Sequence, residues 1–182
     1  DFAADLKAHA GDPAQIEHVC QDMSAAYAKG VALALPNAQI SYDRFHVIAM
    51  ANEAMDGVRR QEMSTQPQAI KEALGDNDRK LLKSLAWGMR RNPGDWSAKQ
   101  TSAMHWPQRC TLKSARAWRL KMALRAVYAS AAAGNDREHA SKELKGWLSW
   151  ARRSRLEPFR KLAKTLSERF EAVVRGMLDS RS

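Results

Sequence analysis

The chain is poor in cysteine, has no long apolar run and carries few acids after its first third, and each shortage removes a class of protein. Its two cysteines, Cys20 and Cys110, are too few for a disulfide framework among 182 residues and suit a reducing compartment. No window approaches the roughly 18 consecutive apolar residues of a membrane span. No secretory signal opens the chain, which starts at Asp1 rather than Met and is therefore expected to be a piece of something longer. A Gly-rich phosphate loop, a Gly-x-Ser-x-Gly elbow and a helical His-Glu-x-x-His are all missing, so nucleophile-type catalysis has no support. His18 and Cys20 share one strand face and His105 lies near Cys110, but no Cys-x-x-Cys or His-x₃-His pair exists to hold structural zinc.

What is present is positive charge, unevenly placed. Thirty Lys and Arg against twenty Asp and Glu give a net charge of +10 and a pI near 9.9, which fits nucleic acid first and an anionic membrane second. Through Val58 there are three basic residues (Lys7, Lys29, Arg44) and eight acids, a net of −5; the remaining 124 residues hold 27 basic and 12 acidic, a net of +15. An acidic head and a basic body are expected when one part holds a divalent metal and the other a phosphate backbone. A hydrophobic content of 45% with six Trp excludes wholesale disorder.

In the head, Phe2 to Ala10 is helix-prone and stops at Gly11-Asp12-Pro13. Ile16 to Cys20 reads as a strand. Ser24 to Leu35, with Tyr27, Val31 and Leu35 at i+4 spacing, reads as a helix ended by Pro36-Asn37. Ala38, Ile40 and Tyr42 then alternate with polar residues as a second strand. From Arg44 the period is helical again, through Val47, Ala51, Ala54, Met55 and Val58. Strand, helix and strand with short links fit a right-handed parallel crossover, which brings both strand carboxyl ends to one sheet edge. Asp22 and Asp43 occupy those ends, a geometry able to hold a hard cation through oxygen. Each also immediately precedes a helix, so plain N-capping is an open alternative. His46, three residues after Asp43, is either a member of that site or a histidine packed beside the edge.

The body reads as wholly helical, broken at Gly75-Asp76, Asn92-Pro93-Gly94, Trp106-Pro107, Gly134-Asn135 and Glu157-Pro158. Expected helices are capped by Asp76 or Asp78, by Thr111, and by Asn135 or Asp136. A fourth has Pro158 in its first turn and keeps one stripe through Leu162, Leu166, Phe170, Val173 and Met177. All six Trp lie here, interleaved with Arg; at helical spacing packing is the favoured role, and base stacking the other. Arg109, Lys113 and Arg116 share one helical side, and Arg152, Arg153, Arg155, Arg160, Lys161 and Lys164 form a dense basic run, as expected for phosphate contact.

The runs Gln21-Asp22-Met23-Ser24-Ala25-Ala26-Tyr27-Ala28-Lys29-Gly30-Val31, Leu35-Pro36-Asn37-Ala38-Gln39-Ile40 and Tyr42-Asp43-Arg44-Phe45-His46-Val47-Ile48, with Asn52-Glu53-Ala54, closely resemble bacterial insertion-sequence transposases of the ISL type. The similarity continues at Leu112 to Trp118 and from Trp147 to Leu166. The resemblance implies a DDE enzyme with an RNase H-like core that cuts and joins DNA using Mg²⁺ or Mn²⁺ held by three carboxylates. Asp22 matches the second of these. Asp43 is a lesser candidate metal ligand, and His46 a neighbour that shapes the site.

On this reading the fold is α/β, a partial RNase H-like βαβ unit over 1–62, followed by a mostly helical, basic insertion over 63–182, with helix dominant overall. The first Asp and the final Glu fall outside the chain, which is expected to be inactive alone. DNA contact is assigned to Arg109, Lys113, Arg116, Arg152, Arg153 and Lys161. The partners implied are transposon-end and target DNA and further copies of the full-length protein, in the bacterial cytoplasm at the nucleoid, with no membrane. The competing reading is a non-catalytic nucleic-acid-binding helical module or a degenerate remnant.

Overall fold

The computed structural model describes residues 2–68, 70, 79–105, 111–134 and 136–179. Helix α1 (Phe2–Ala8) stops at the expected turn, where the Asp12 carboxylate accepts the Ala14 N–H at 2.9 Å and caps a 3₁₀ turn over Pro13–Gln15. That turn absorbs Ile16, so strand β1 (His18–Gln21) begins later than the β-branched residues suggest. Helix α2 (Ala25–Ala34) and strand β2 (Gln39–Tyr42) complete a parallel crossover, with His18 opposite Gln39 and Gln21 opposite Tyr42.

Helix α2 departs from its expected stripe. Leu35, just beyond it, is buried, Val31 is half-buried, and Tyr27 is 64% exposed; no residue of α2 itself is buried. The reason is position. Strand β1 is hydrogen-bonded only to β2 among the described residues, and an open cleft of about 680 Å³ lined by Ile16, Val19, Tyr27, Val31 and Leu35 lies between β1 and α2.

Helix α3 (Arg44–Thr65) buries Val47, Ala51, Ala54, Met55 and Val58, as its period requires. Past it lie α4 (Arg79–Arg90), a 3₁₀ turn over Pro93–Asp95, and α5 (Ala98–Met104), opened by a reciprocal capping box between Ser97 and Gln100. Then come α6 (Lys113–Gly134), α7 (Arg137–Arg153), α8 (Glu157–Glu168) and α9 (Phe170–Asp179). Asp136 caps α7, accepting the N–H groups of Glu138 and His139 at 3.0 and 3.2 Å. Asp76, Asp78 and Asn135, also considered as caps, lie outside the described residues. The architecture is thus helix-dominated α/β with one small parallel sheet.

The single long helix expected from Pro158 to Met177 is instead two, broken at Arg169. The break turns α9 onto β2. The Arg169 guanidinium donates to the Met23 carbonyl and stands 5.6 Å over the Tyr42 ring, and Arg175 Nε donates to the Ile40 carbonyl at 2.9 Å. Gly176 permits the approach, because a Cβ there would stand 2.0 Å from the Tyr42 carbonyl oxygen.

Helices α3, α6, α7 and α8 pack as sequential neighbours, with α3 also against α8, and α9 lies over β2, α6 and α7. The core is continuous from Tyr42 and Val47 through Trp118 and Trp147 to Met177, running across residues 62 and 63 inside α3. Trp147 shows why Trp favours such a core: its ring packs beside Phe159, while its Nε1–H donates to the Leu120 carbonyl at 2.9 Å, so burial strands no donor. No described helix is long and apolar enough to cross a membrane.

Candidate functional site

Asp22 and Asp43 each follow the last registered pair of the sheet, Gln21 opposite Tyr42, and the Asp43 N–H donates to the Gln21 carbonyl at 3.0 Å. The crossover has brought two carboxylates from distant sequence positions to adjoining places, one strand spacing of about 5 Å apart along the backbone. Asp43 also caps α3, whereas the N-cap of α2 is Ser24, so the capping alternative holds for Asp43 and not for Asp22. Asp22 Oδ1 accepts the Ser24 N–H at 2.9 Å, and Asp43 Oδ1 accepts the Phe45 N–H at 2.9 Å at the start of α3. The second oxygen of Asp43 accepts from His46 Nδ1 at 3.0 Å, a bond that fixes the imidazole against the carboxylate. For Asp43, capping and edge placement coexist, one oxygen taking the Phe45 N–H and the other His46; Asp22 uses one oxygen in a local turn onto Ser24.

The donor chemistry, two carboxylates with one imidazole beside them, suits part of a site for a hard divalent cation. Among the described residues, no group of three or more His, Cys, Asp or Glu side chains is gathered where it could hold a metal. Cys20 is exposed with a free thiol, and Cys110 lies outside the described residues.

The expected phosphate-contact residues divide into three kinds. Lys113, Arg152, Arg153 and Lys161 are exposed. Arg152 and Arg153 are steadied by the hydroxyls of Ser167 and Ser149. Arg116 is half-buried and donates to the Ser154 carbonyl, so it braces the end of α7 against α6. Arg109 lies outside the described residues. The corner joining α7 to α8 turns through Arg155 at φ 58°, a left-handed residue where glycine usually stands. It fans the exposed Arg152, Arg153, Arg155, Arg160, Lys161 and Lys164 around one bend.

The family model for ISL3 transposases matches residues 1–182, the whole chain. The chain belongs to the ISL3 family of transposases. Its curated relatives include the transposase for insertion sequence element IS1557 from two strains of Mycobacterium tuberculosis, CDC 1551 / Oshkosh and ATCC 25618 / H37Rv. Each is 29% identical over 181 residues, covering 91% of this chain and 39% of the relative. The ISL3 chain thus spans about two fifths of the length of those relatives. No solved structure matches it.

Three charged groups central to this ISL3 chain's architecture escape a reading by composition. Glu62, 3% exposed, sits at the end of the α3 stripe and accepts the N–H groups of Lys113 and Ser114 at 2.7 Å each. It binds the first turn of α6, where Thr111 was the expected cap. Lys121, 0% exposed, donates its Nζ to the Met89 and Arg90 carbonyls at 2.6 and 3.2 Å, capping the far end of α4. Burial, and then the nearby Arg125 charge, push this ammonium down to about 8. Asp56 holds Arg59, Arg60 and Arg90 at 2.8, 3.3 and 2.8 Å. Burial pushes its carboxyl up, but hydrogen bonds and charge from Arg90 and Arg59 outweigh that and hold it below the usual carboxylate range. The available signal was periodicity: Glu62 lies four residues past Val58, and Lys121 lies three before Leu124, both on otherwise apolar faces.

Proposed function

We propose that this chain supplies a carboxylate-bearing sheet edge and a DNA-gripping helical body to a transposase that cleaves and transfers DNA strands. The observation that carries the reading is the placement of Asp22 and Asp43 side by side at the carboxyl edge of a parallel pair, with α9 packed on β2 and Asp43 capping α3. In this reading residues 1–62 are part of an RNase H-like catalytic core and 63–182 a helical insertion. The open edge of β1 and the cleft beside α2 are filled by strands from the rest of a polypeptide of the relatives' length.

Asp22 would share in holding a divalent cation, Mg²⁺ or Mn²⁺, through the oxygen that does not accept from Ser24; Asp43 is the lesser ligand. Such a cation supplies charge stabilisation to the entering and leaving oxygens of a phosphodiester. The chain's own part is positional. The Ser24 N–H orients the Asp22 carboxylate, and the His46 bond orients Asp43. Meanwhile Lys113, Arg152, Arg153 and Lys161 neutralise phosphates along the duplex, with Arg116 bracing the helix corner beneath them. Full-length protein is expected to act as a homo-oligomer on transposon-end and target DNA.

The test has two arms. Duplex affinity of the 182-residue chain, followed by fluorescence anisotropy, should fall steeply with salt, by about 0.9 in log K per decade of salt for each phosphate neutralised. A flat response would remove the DNA-gripping role. The chain alone should leave DNA uncut with Mg²⁺ present, whereas a polypeptide of the relatives' full length carrying it should nick DNA and lose nicking, but not binding, on Asp22→Asn. Retained nicking in that variant would remove Asp22 from the site.

A further inference from the structure

Of the five described tryptophans, Trp118 and Trp147 are buried and Trp96 is half-buried, its Nε1 donating to the Gly88 carbonyl at 2.8 Å. Trp150 and Trp87 are exposed, and Trp87 differs from every other in its surroundings. It stands on the outer side of α4, 46% exposed, with the Arg90 and Arg91 guanidinium carbons 5.8 and 5.9 Å from its ring centroid. Arg90 is fixed in place by two bonds to Asp56, which also binds Arg59 and Arg60. One carboxylate thus faces three guanidinium groups, of which Arg90 reaches the indole, and Arg91 is the second cation at the ring. Among the described residues its neighbours at i−4, i+3 and i+4 are Lys83, Arg90 and Arg91, all exposed and all cationic. A half-exposed indole with two guanidinium groups beside it matches the two components of an unpaired nucleotide, a base face and a phosphate.

We propose that Trp87, Arg90 and Arg91 form a contact for single-stranded DNA, in which an unpaired base stacks on the Trp87 indole and Arg91 neutralises the adjoining phosphate. Arg90, held by Asp56, keeps the ring in position. Within a duplex every base face is already stacked, so the contact operates only where a strand is open or a base is turned out. The proposal rests on the reading of this chain as DNA-handling, but neither on Asp22 nor on the basic corner of α7 and α8.

The experiment compares labelled oligothymidine with a duplex of equal length by anisotropy, over a range of salt. Trp87→Leu keeps apolar bulk and helix propensity while removing the aromatic face. It should weaken single-strand binding roughly five- to hundredfold and change duplex binding less than twofold. Trp87→Phe should restore most of the loss, and Trp150→Leu should cause none. Arg91→Ala should reduce the single-strand salt slope by about 0.7. If Trp87→Leu binds oligothymidine like the parent chain while Arg152→Ala with Lys161→Ala weakens both DNAs, the stacking contact is refuted and the DNA-gripping reading stands. If the parent chain binds neither DNA, both are refuted. Unchanged melting temperature of each variant confirms that the fold is intact.

Discussion

Replacing Gly176 by alanine sets two effects of opposite sign against each other, and the structure decides which prevails. In an isolated helix, Gly→Ala stabilises by about 1 kcal/mol. At Gly176 the new methyl would sit 2.0 Å from the Tyr42 carbonyl oxygen, which is backbone and cannot rotate away. Restoring an ordinary separation of about 3.5 Å moves α9 and β2 apart by more than 1 Å. Val173, Val174 and Met177 are buried on α9, each contributing about 2 kcal/mol by burial. A gap of this size forfeits roughly a quarter to a half of close-contact dispersion. The Arg175 bond to Ile40 adds about 1 kcal/mol of loss. Against the helix-propensity gain, the net is a destabilisation of about 2 kcal/mol, read as a melting temperature lower by roughly 4 to 8 °C. Gly146→Ala, with nothing within 4 Å of its added methyl in α7, is the control and should raise stability by up to about 1 kcal/mol. Thermal unfolding followed by circular dichroism measures both. Gly176→Ala melting at or above the parent temperature would refute the close-approach reasoning.

Glu62→Gln replaces one of two acceptor oxygens by an NH₂ group facing a helix N–H, and should cost about 2 kcal/mol in urea unfolding; an unchanged midpoint would show that α6 needs no carboxylate at its start. Lys121 releases its proton near 8 when folded and near 10.4 when unfolded, so the unfolded chain binds more protons between those values and stability rises with pH across that window. From pH 8 to 10 the rise should approach about 2 kcal/mol and be missing in Lys121→Met; a parent chain whose stability is level over that range would contradict the buried ammonium.

Local chemistry made the crossover readable. Alternation at Ile40 and Tyr42, the stops at Gly11-Asp12-Pro13 and Pro36-Asn37, and the stripe from Val47 to Val58 each act within a few residues, and β2 and α3 formed where that chemistry put them, while β1 starts two residues late, after the turn that takes up Ile16. The errors came from forces acting at a distance. Nothing near Arg169 breaks the apolar stripe; the helix breaks there because Met23, Ile40 and Tyr42, more than a hundred positions upstream, offer carbonyls and a ring to Arg169 and Arg175. Thr111 was a plausible cap by type, yet Glu62 reached the same N–H groups from another helix. Asp22 and Asp43 were legible because the crossover rule links strand ends to one edge. The Asp56 cluster was not, because Arg90 joins it from 34 positions away.

The lock of α9 on β2 also orders events in time. A two-stranded pair such as β1 and β2 is marginal alone, and the helix that holds it is joined through bonds spanning 135 and 146 positions. Closing so long a loop costs entropy that must be met before its contacts form, whereas α6, α7 and α8 meet their sequence neighbours and assemble from short-range contacts. During synthesis the basic corner can therefore fold while the carboxylate edge still waits for Phe170 to Asp179 to leave the ribosome. In the proposed function, the capacity to hold DNA matures before the capacity to cut it, so a half-made molecule is a binder and not a nuclease.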